Sequence, residues 1–126
     1  SNKIRFFGID APETKQYCQK PYLSLSFIIL NKDYPCGKVA TNILKNMINN
    51  KLVTCKINGK DRYKRFIAEC FKDETNINSW MVLNGNAIDY VKYSKKYIAE
   101  ENIAKKNKLG LWKGTFDKPW NWRKKK

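Results

Sequence analysis

Two carboxylates and two arginines carry the chemistry this sequence allows. In "IRFFGIDAPETKQ" (residues 4–16), Asp10 and Glu13 flank a proline turn that closes an apolar stretch carrying Arg5. In "DRYKR" (61–65), Arg62, Tyr63 and Arg65 sit between two further apolar stretches. A proline turn at a strand end aims both carboxylates into one pocket. Asp10, with the carbonyl of Ala11, suits a hard, oxygen-liking cation such as Ca²⁺. Glu13 is close enough to take a proton from a water on that cation, as a general base. Arg5 and Arg65 would hold one phosphate from two sides, and two guanidinium forks with a cation stabilise the extra charge of a pentacoordinate phosphorus. Arg62 and Tyr63 would hold a neighbouring phosphate or sugar. An Asp-x-Pro-Glu turn also occurs as a plain turn, so the weight rests on the two motifs together.

Composition narrows the partners and the chemistry. The chain of 126 residues suffices for one domain with one core. Its formal charge of +15 favours polyanions, nucleic acid first among them. Of 26 basic residues only four are arginine: Arg5, Arg62, Arg65 and Arg123. With lysine the default cation, each arginine marks a place where a planar fork matters. Histidine is absent, which excludes imidazole bases and imidazole metal ligands. Hydrolysis would fall to carboxylates, a hard cation, Arg, Lys or Tyr.

The elements that must position these groups follow from pattern. Residues 3–9 read as a strand ended by the Asp10–Pro12 turn, and residues 15–37 read as irregular. Ala40, Ile43, Leu44, Met47 and Ile48 make the stripe of a helix over 38–49. Residues 51–57 and 65–71 read as two strands, joined by 58–63 with Asn58-Gly59 as turn signal. A wide loop centred near 62 and 63 would set Cys55 opposite Cys70. Asn76 or Asn78 caps a short helix closed by Gly85. Residues 86–93 read as a last strand, and Ser94 caps a helix running to about Leu109, with a Glu101–Lys105 pair and Gly110 beyond its end. The order suits a small α+β domain with a curled antiparallel sheet over residues 1–126. Residues 119–126 form a basic tail whose tryptophans dock on the body and whose lysines are solvated.

The four cysteines lack metal-site spacing, and their even number points to two disulfides in an oxidising compartment. Three pairings are open. Cys18–Cys36 and Cys55–Cys70 are favoured because each closes a short loop. No run of 18 apolar residues is present, so no membrane span is expected.

The segments "IRFFGIDAPETKQ", "DRYKRFIAECF", "NSWMVLNGNAIDY" and "AKKNKLGLW", in this order over nearly the whole chain, closely resemble the thermonuclease (staphylococcal nuclease-like) family. The resemblance implies an OB-fold, a five-stranded barrel with three helices, and Ca²⁺-dependent cleavage of DNA and RNA phosphodiesters. It implies catalytic roles for Arg5, Glu13 and Arg65, metal ligation by Asp10 and by the carbonyl of Ala11 (a threonine in the family), and nucleotide contacts from Arg62 and Tyr63. The cysteines and the closing "PWNWR" look like an exported branch. The family opens with a strand hairpin carrying Asp-Gly-Asp-Thr, whereas only three residues precede Ile4 here. The expectation is an incomplete barrel, weak Ca²⁺ binding, little activity from these residues alone, and sheet edges open to strand exchange in a homo-oligomer. The rival from a different class is a non-catalytic OB module that binds nucleic acid.

Overall fold

The first apolar stretch makes two short strands, β1 (Ile4–Phe6) and β2 (Ile9–Asp10), rather than one strand over 3–9. Gly8, at φ +73°, supplies the left-handed turn that redirects the chain between them. The computed structural model describes residues 3–125.

Residues 15–37 are not irregular. They hold an antiparallel hairpin, β3 (Cys18–Leu25) and β4 (Ile28–Tyr34), with a register shift after Pro21. Its outer half is apolar on both faces and exposed, with Phe27 at its tip. The predicted helix begins two residues early as α1 (Cys36–Ile48), and Asn49 ends it in the left-handed conformation, its N–H donating to the Lys45 carbonyl. Leu44, Met47 and Ile48 pack on the main core, as their spacing requires.

The strands β5 (Thr54–Lys60) and β6 (Phe66–Lys72) are antiparallel, with Cys55 opposite Cys70. Asn58 and Gly59 lie inside β5 and not in the turn, which is made by residues 61–65, with Lys64 at φ +66°. A two-residue strand, β7 (Thr75–Asn76), pairs with the far end of β6. Asn76 then caps α2 (Ile77–Leu83), accepting the Ser79 N–H, whereas Asn78 is buried and bridges β6 to the Phe7 carbonyl. The expected strand over 86–93 shrinks to β8 (Ile88–Asp89), which pairs with β2. Ser94 does not cap the next helix. Its hydroxyl accepts the Lys96 N–H, and α3 (Ile98–Lys106) begins later, after Tyr97. Gly110 opens a 3-10 turn, Gly110–Lys113, and the tail forms α4 (Pro119–Lys124).

One pairing departs from the antiparallel expectation: β1 runs parallel to β6, giving the order β1-β6-β5 with β7 attached to β6. The described strands make an open sheet, a β2–β8 pair and the β3–β4 hairpin, without closure into a full barrel. This is an α+β arrangement with an incomplete OB-type barrel. The main core gathers Ile9, Ala68, Cys70, Ile77, Met81, Val82 and Tyr97, and a second cluster holds Cys18, Cys36, Ile88 and Leu111. The structure joins Cys18 to Cys36 and Cys55 to Cys70. Among the described residues, no helix is long and apolar enough to cross a membrane.

Candidate active site

Parallel pairing brings the two motif arginines to the same end of the β1–β6 ladder. Arg5 lies opposite Ile67 across the β1–β6 ladder. Arg65 stands two residues before Ile67, at the end of the turn that leads into β6. Arg5 lies over two aromatic rings, Tyr90 at 5.3 Å and Tyr93 at 5.8 Å, which hold its guanidinium by cation–π attraction.

Asp61 orients the second arginine. Its Oδ1 accepts the N–H groups of Tyr63 at 2.8 Å and Arg65 at 3.0 Å, and its Oδ2 accepts Arg65 Nε at 2.8 Å. Desolvation pushes this carboxyl up, but the backbone donors and the Arg65 fork outweigh it and hold Asp61 below its ordinary value. The Asp-x-Tyr-x-Arg spacing is thus a turn built around one carboxylate. Tyr63 is two-thirds exposed, and both Arg62 and Arg65 lie over its ring, at 5.3 and 5.6 Å.

The acid pair stands at the end of β2 and in the loop that follows. Asp10 is buried, while the Glu13 side chain is 42% exposed. Glu13 donates its N–H to Oε1 of the buried Gln16, and Gln16 N–H returns to the Glu13 carbonyl, which closes the loop into a tight turn. The first turn of α1 backs this loop, with Gly37 N–H donating to the Gln16 carbonyl.

Both carboxylates meet at an arginine that sequence reasoning left in the tail. Arg123, on α4, donates Nη1 to Asp10 Oδ1 at 3.0 Å and to Glu13 Oε1 at 2.8 Å. Its Nη2 donates to Asp10 Oδ2 at 2.6 Å. Burial raises the Asp10 pKa above its usual value. Hydrogen bonds and charge from Arg123, and the charge of Arg5, oppose that rise, while the Glu13 charge adds to it. The same Asp10 hydrogen bonds drive Arg123 in the other direction, well above the ordinary guanidinium value. The only local signal for Arg123 was its type, one arginine among many lysines.

The oxygen donors here do not match a calcium site. Ca²⁺ takes about six to eight oxygens. Asp10, Glu13 and the Ala11 carbonyl supply a fraction of that number, and a guanidinium engages both Asp10 oxygens and one Glu13 oxygen. Among the described residues no group of three acidic, Cys or His side chains converges.

The chain is similar to known proteins along most of its length. The family profile described as "Staphylococcal nuclease homologue" matches residues 3–114. The chain is 32% identical over 128 residues to an uncharacterized endonuclease of Escherichia coli O157:H7, covering 98% of this chain and 72% of that protein. It is 32% identical over 114 residues to the succinoglycan biosynthesis protein ExoI of Rhizobium meliloti (strain 1021), covering 88% of this chain and 56% of ExoI. It is also 32% identical over 127 residues to the staphylococcal-like nuclease CAN1 of Arabidopsis thaliana, covering 98% of this chain and 34% of CAN1. The chain therefore spans about half of ExoI and a third of CAN1.

Proposed function

The chain belongs to the staphylococcal nuclease homologue family, and on that premise we propose that it is a phosphodiesterase that hydrolyses DNA and RNA. What supports this reading is that the β1–β6 pairing sets Arg5 opposite Ile67, two residues from Arg65, while Arg123 holds Asp10 and Glu13 together. A phosphodiester entering this site meets two guanidinium groups at its non-bridging oxygens. Their charge is fixed before reaction, so it stabilises the dianionic phosphorane at little reorganisation cost. Glu13 accepts the proton of the attacking water. Its Oε1 is taken by Arg123, and Oε2 receives no hydrogen bond from the described residues, which leaves that oxygen for the water. Arg62 and Tyr63, exposed beside Arg65, receive the adjacent phosphate or sugar. The positive charge of the chain draws the polyanion to this surface.

Calcium is the metal that the resemblance implies. Asp10 and the Ala11 carbonyl, the ligands it would use here, do not by themselves fit that ion, because Arg123 engages both Asp10 oxygens. Two disulfides suit an oxidising, exported compartment. The outer edges of β1 and β5 are the places where a strand of a second copy would pair.

Cleavage of a labelled single-stranded DNA, with Ca²⁺ and with chelator, tests the reading. Cleavage should fall about 100-fold or more in each of Arg5→Ala, Glu13→Ala and Arg65→Ala, the scale of losing one transition-state donor or the base. Salt-sensitive binding without cleavage under any condition would instead assign a binding module.

A further inference from the structure

We propose that α4 completes the active site and that Arg123 is the positioning residue that holds Glu13 and Asp10 for the reaction. The inference rests on the nuclease reading and names a part of the site that the family profile, ending at residue 114, does not reach.

A glutamate on a loop does not hold itself still. Fixing such a side chain costs rotamer entropy. Arg123 supplies the restraint. One nitrogen donates to Glu13 and to Asp10, and the second closes a fork on Asp10. Lysine, as a point charge, makes no such bridge. The contact ties up one Glu13 oxygen, and the side chain stays 42% exposed, as a base requires.

A tail arginine pairing with surface acids would be worth little. Three observations separate this contact from that case. Asp10 is only 8% exposed on its side chain, so its partner is not interchangeable with water. The segment entering α4 is tied to the same loop a second time: Gln16, fully buried, accepts the Glu13 N–H and donates Nε2 to the Asp117 carbonyl at 2.8 Å. Then α4 reaches the first arginine as well. Trp120 stacks on Tyr90 with centroids 4.7 Å apart and planes 11° apart, and Arg5 lies over that same Tyr90 ring. One short helix thus braces the base through Arg123 and a phosphate-binding arginine through Trp120 and Tyr90.

The test uses the full chain and a labelled single-stranded DNA, with Arg123→Ala, Arg123→Lys and, as a second route, Trp120→Ala. Arg123→Ala should lower kcat about 100-fold, the scale set by misplacing a reacting group, with KM changed less than about threefold. Lysine should restore little, and free guanidinium should restore part of the alanine variant's rate. Trp120→Ala should weaken the Arg5 side of the site, raising KM. Amide hydrogen exchange supplies a readout without catalysis: Arg123→Ala should speed exchange at Glu13 and Gln16 and leave β6 unchanged. Unaltered kcat, a raised kcat, or unaltered exchange at Glu13 and Gln16 would each overturn the proposal. If the parent chain cleaves nothing, the exchange result alone decides whether Arg123 holds the loop, apart from the fate of the nuclease reading.

Discussion

The Cα of Gly37 lies against the carbonyl of Glu13, so closely that a β-carbon built on Gly37 falls 1.7 Å from that oxygen. The first turn of α1 is therefore the floor on which the Glu13 loop rests. Space, and not backbone conformation, makes this a glycine site. Gly37→Ala should push the loop away, with a stability loss of about 1–3 kcal/mol, the usual cost of overpacking. The loss of DNA cleavage should exceed that of a substitution equally destabilising but remote, such as Ala104→Gly on α3. Equal rates for the two at matched folded fraction would remove Gly37 from the site.

Asp61 makes Arg65 usable by fixing its Nε and the turn around it. Asp61→Asn keeps the turn acceptor but removes the charge that the Arg65 fork faces. DNA cleavage should drop about tenfold, and the effects of Asp61→Asn and Arg65→Ala should not add, because residues acting as one unit couple. A double-mutant cycle in kcat/KM checks this. Strict additivity would mean that Asp61 serves the turn alone.

Local pattern carried much of this fold. The helical stripe of α1, the Asn76 cap and the Cys55–Cys70 register were legible because each depends on neighbours within a few residues or on one turn. The β3–β4 hairpin was not, because its outer residues are apolar on both faces and show no period of two, with Pro21 interrupting the run. Asn58-Gly59 misled for a related reason: the turn moved two residues on, to where Asp61 collects three donors. The parallel pairing of β1 with β6 depends on the long path between them. The Asp10–Glu13 turn was readable as a candidate, but not its partner. The Arg123 contact with Glu13 spans 110 positions, and nothing in "PWNWR" names the acid it meets.

Two buried acids pull the pH dependence of stability in opposite directions. Burial raises the Glu69 pKa, but the Lys96 ammonium at 2.6 Å and the Tyr97 hydroxyl at 2.7 Å outweigh it and hold the group below its ordinary 4.5. Its contribution is full above the unfolded value and is lost as pH falls through the lower folded one. Asp89 is the reverse case. Burial raises it, the Tyr97 N–H opposes, and the Glu101 and Glu100 charges add to the rise, leaving it above its ordinary 3.8. Its Oδ2 is buried with no hydrogen-bond partner among the described residues. The folded state binds that proton better, so the contribution is present below the unfolded value and is lost as pH rises through the folded one. Near neutral pH, Glu69→Gln should destabilise by about 1–2 kcal/mol and Asp89→Asn should be neutral or stabilising by about 1 kcal/mol. Denaturant melts between about pH 3 and pH 7 would show the two differences shrinking toward the acid end. A fixed offset across that range would refute the assignment for either residue.

The two disulfides should separate by what they hold. They span sequence separations of 18 and 15 residues, so each contributes about 3 kcal/mol in the chain-entropy account, or about 10 °C in Tm. Cys36 opens α1 and is followed by Gly37, which touches the Glu13 carbonyl. Cys55–Cys70 instead joins β5 to β6, strands already paired by their own ladder. Replacing Cys18 and Cys36 with alanine should lower both Tm and kcat, because the floor of the Glu13 loop is loosened. Replacing Cys55 and Cys70 should lower Tm by a similar amount and leave kcat within about twofold at temperatures where the protein remains folded. Parallel thermal melts and single-stranded DNA cleavage on the two double variants measure this difference. Matching kcat losses would place the effect in global stability and break the link from Cys36 to Glu13.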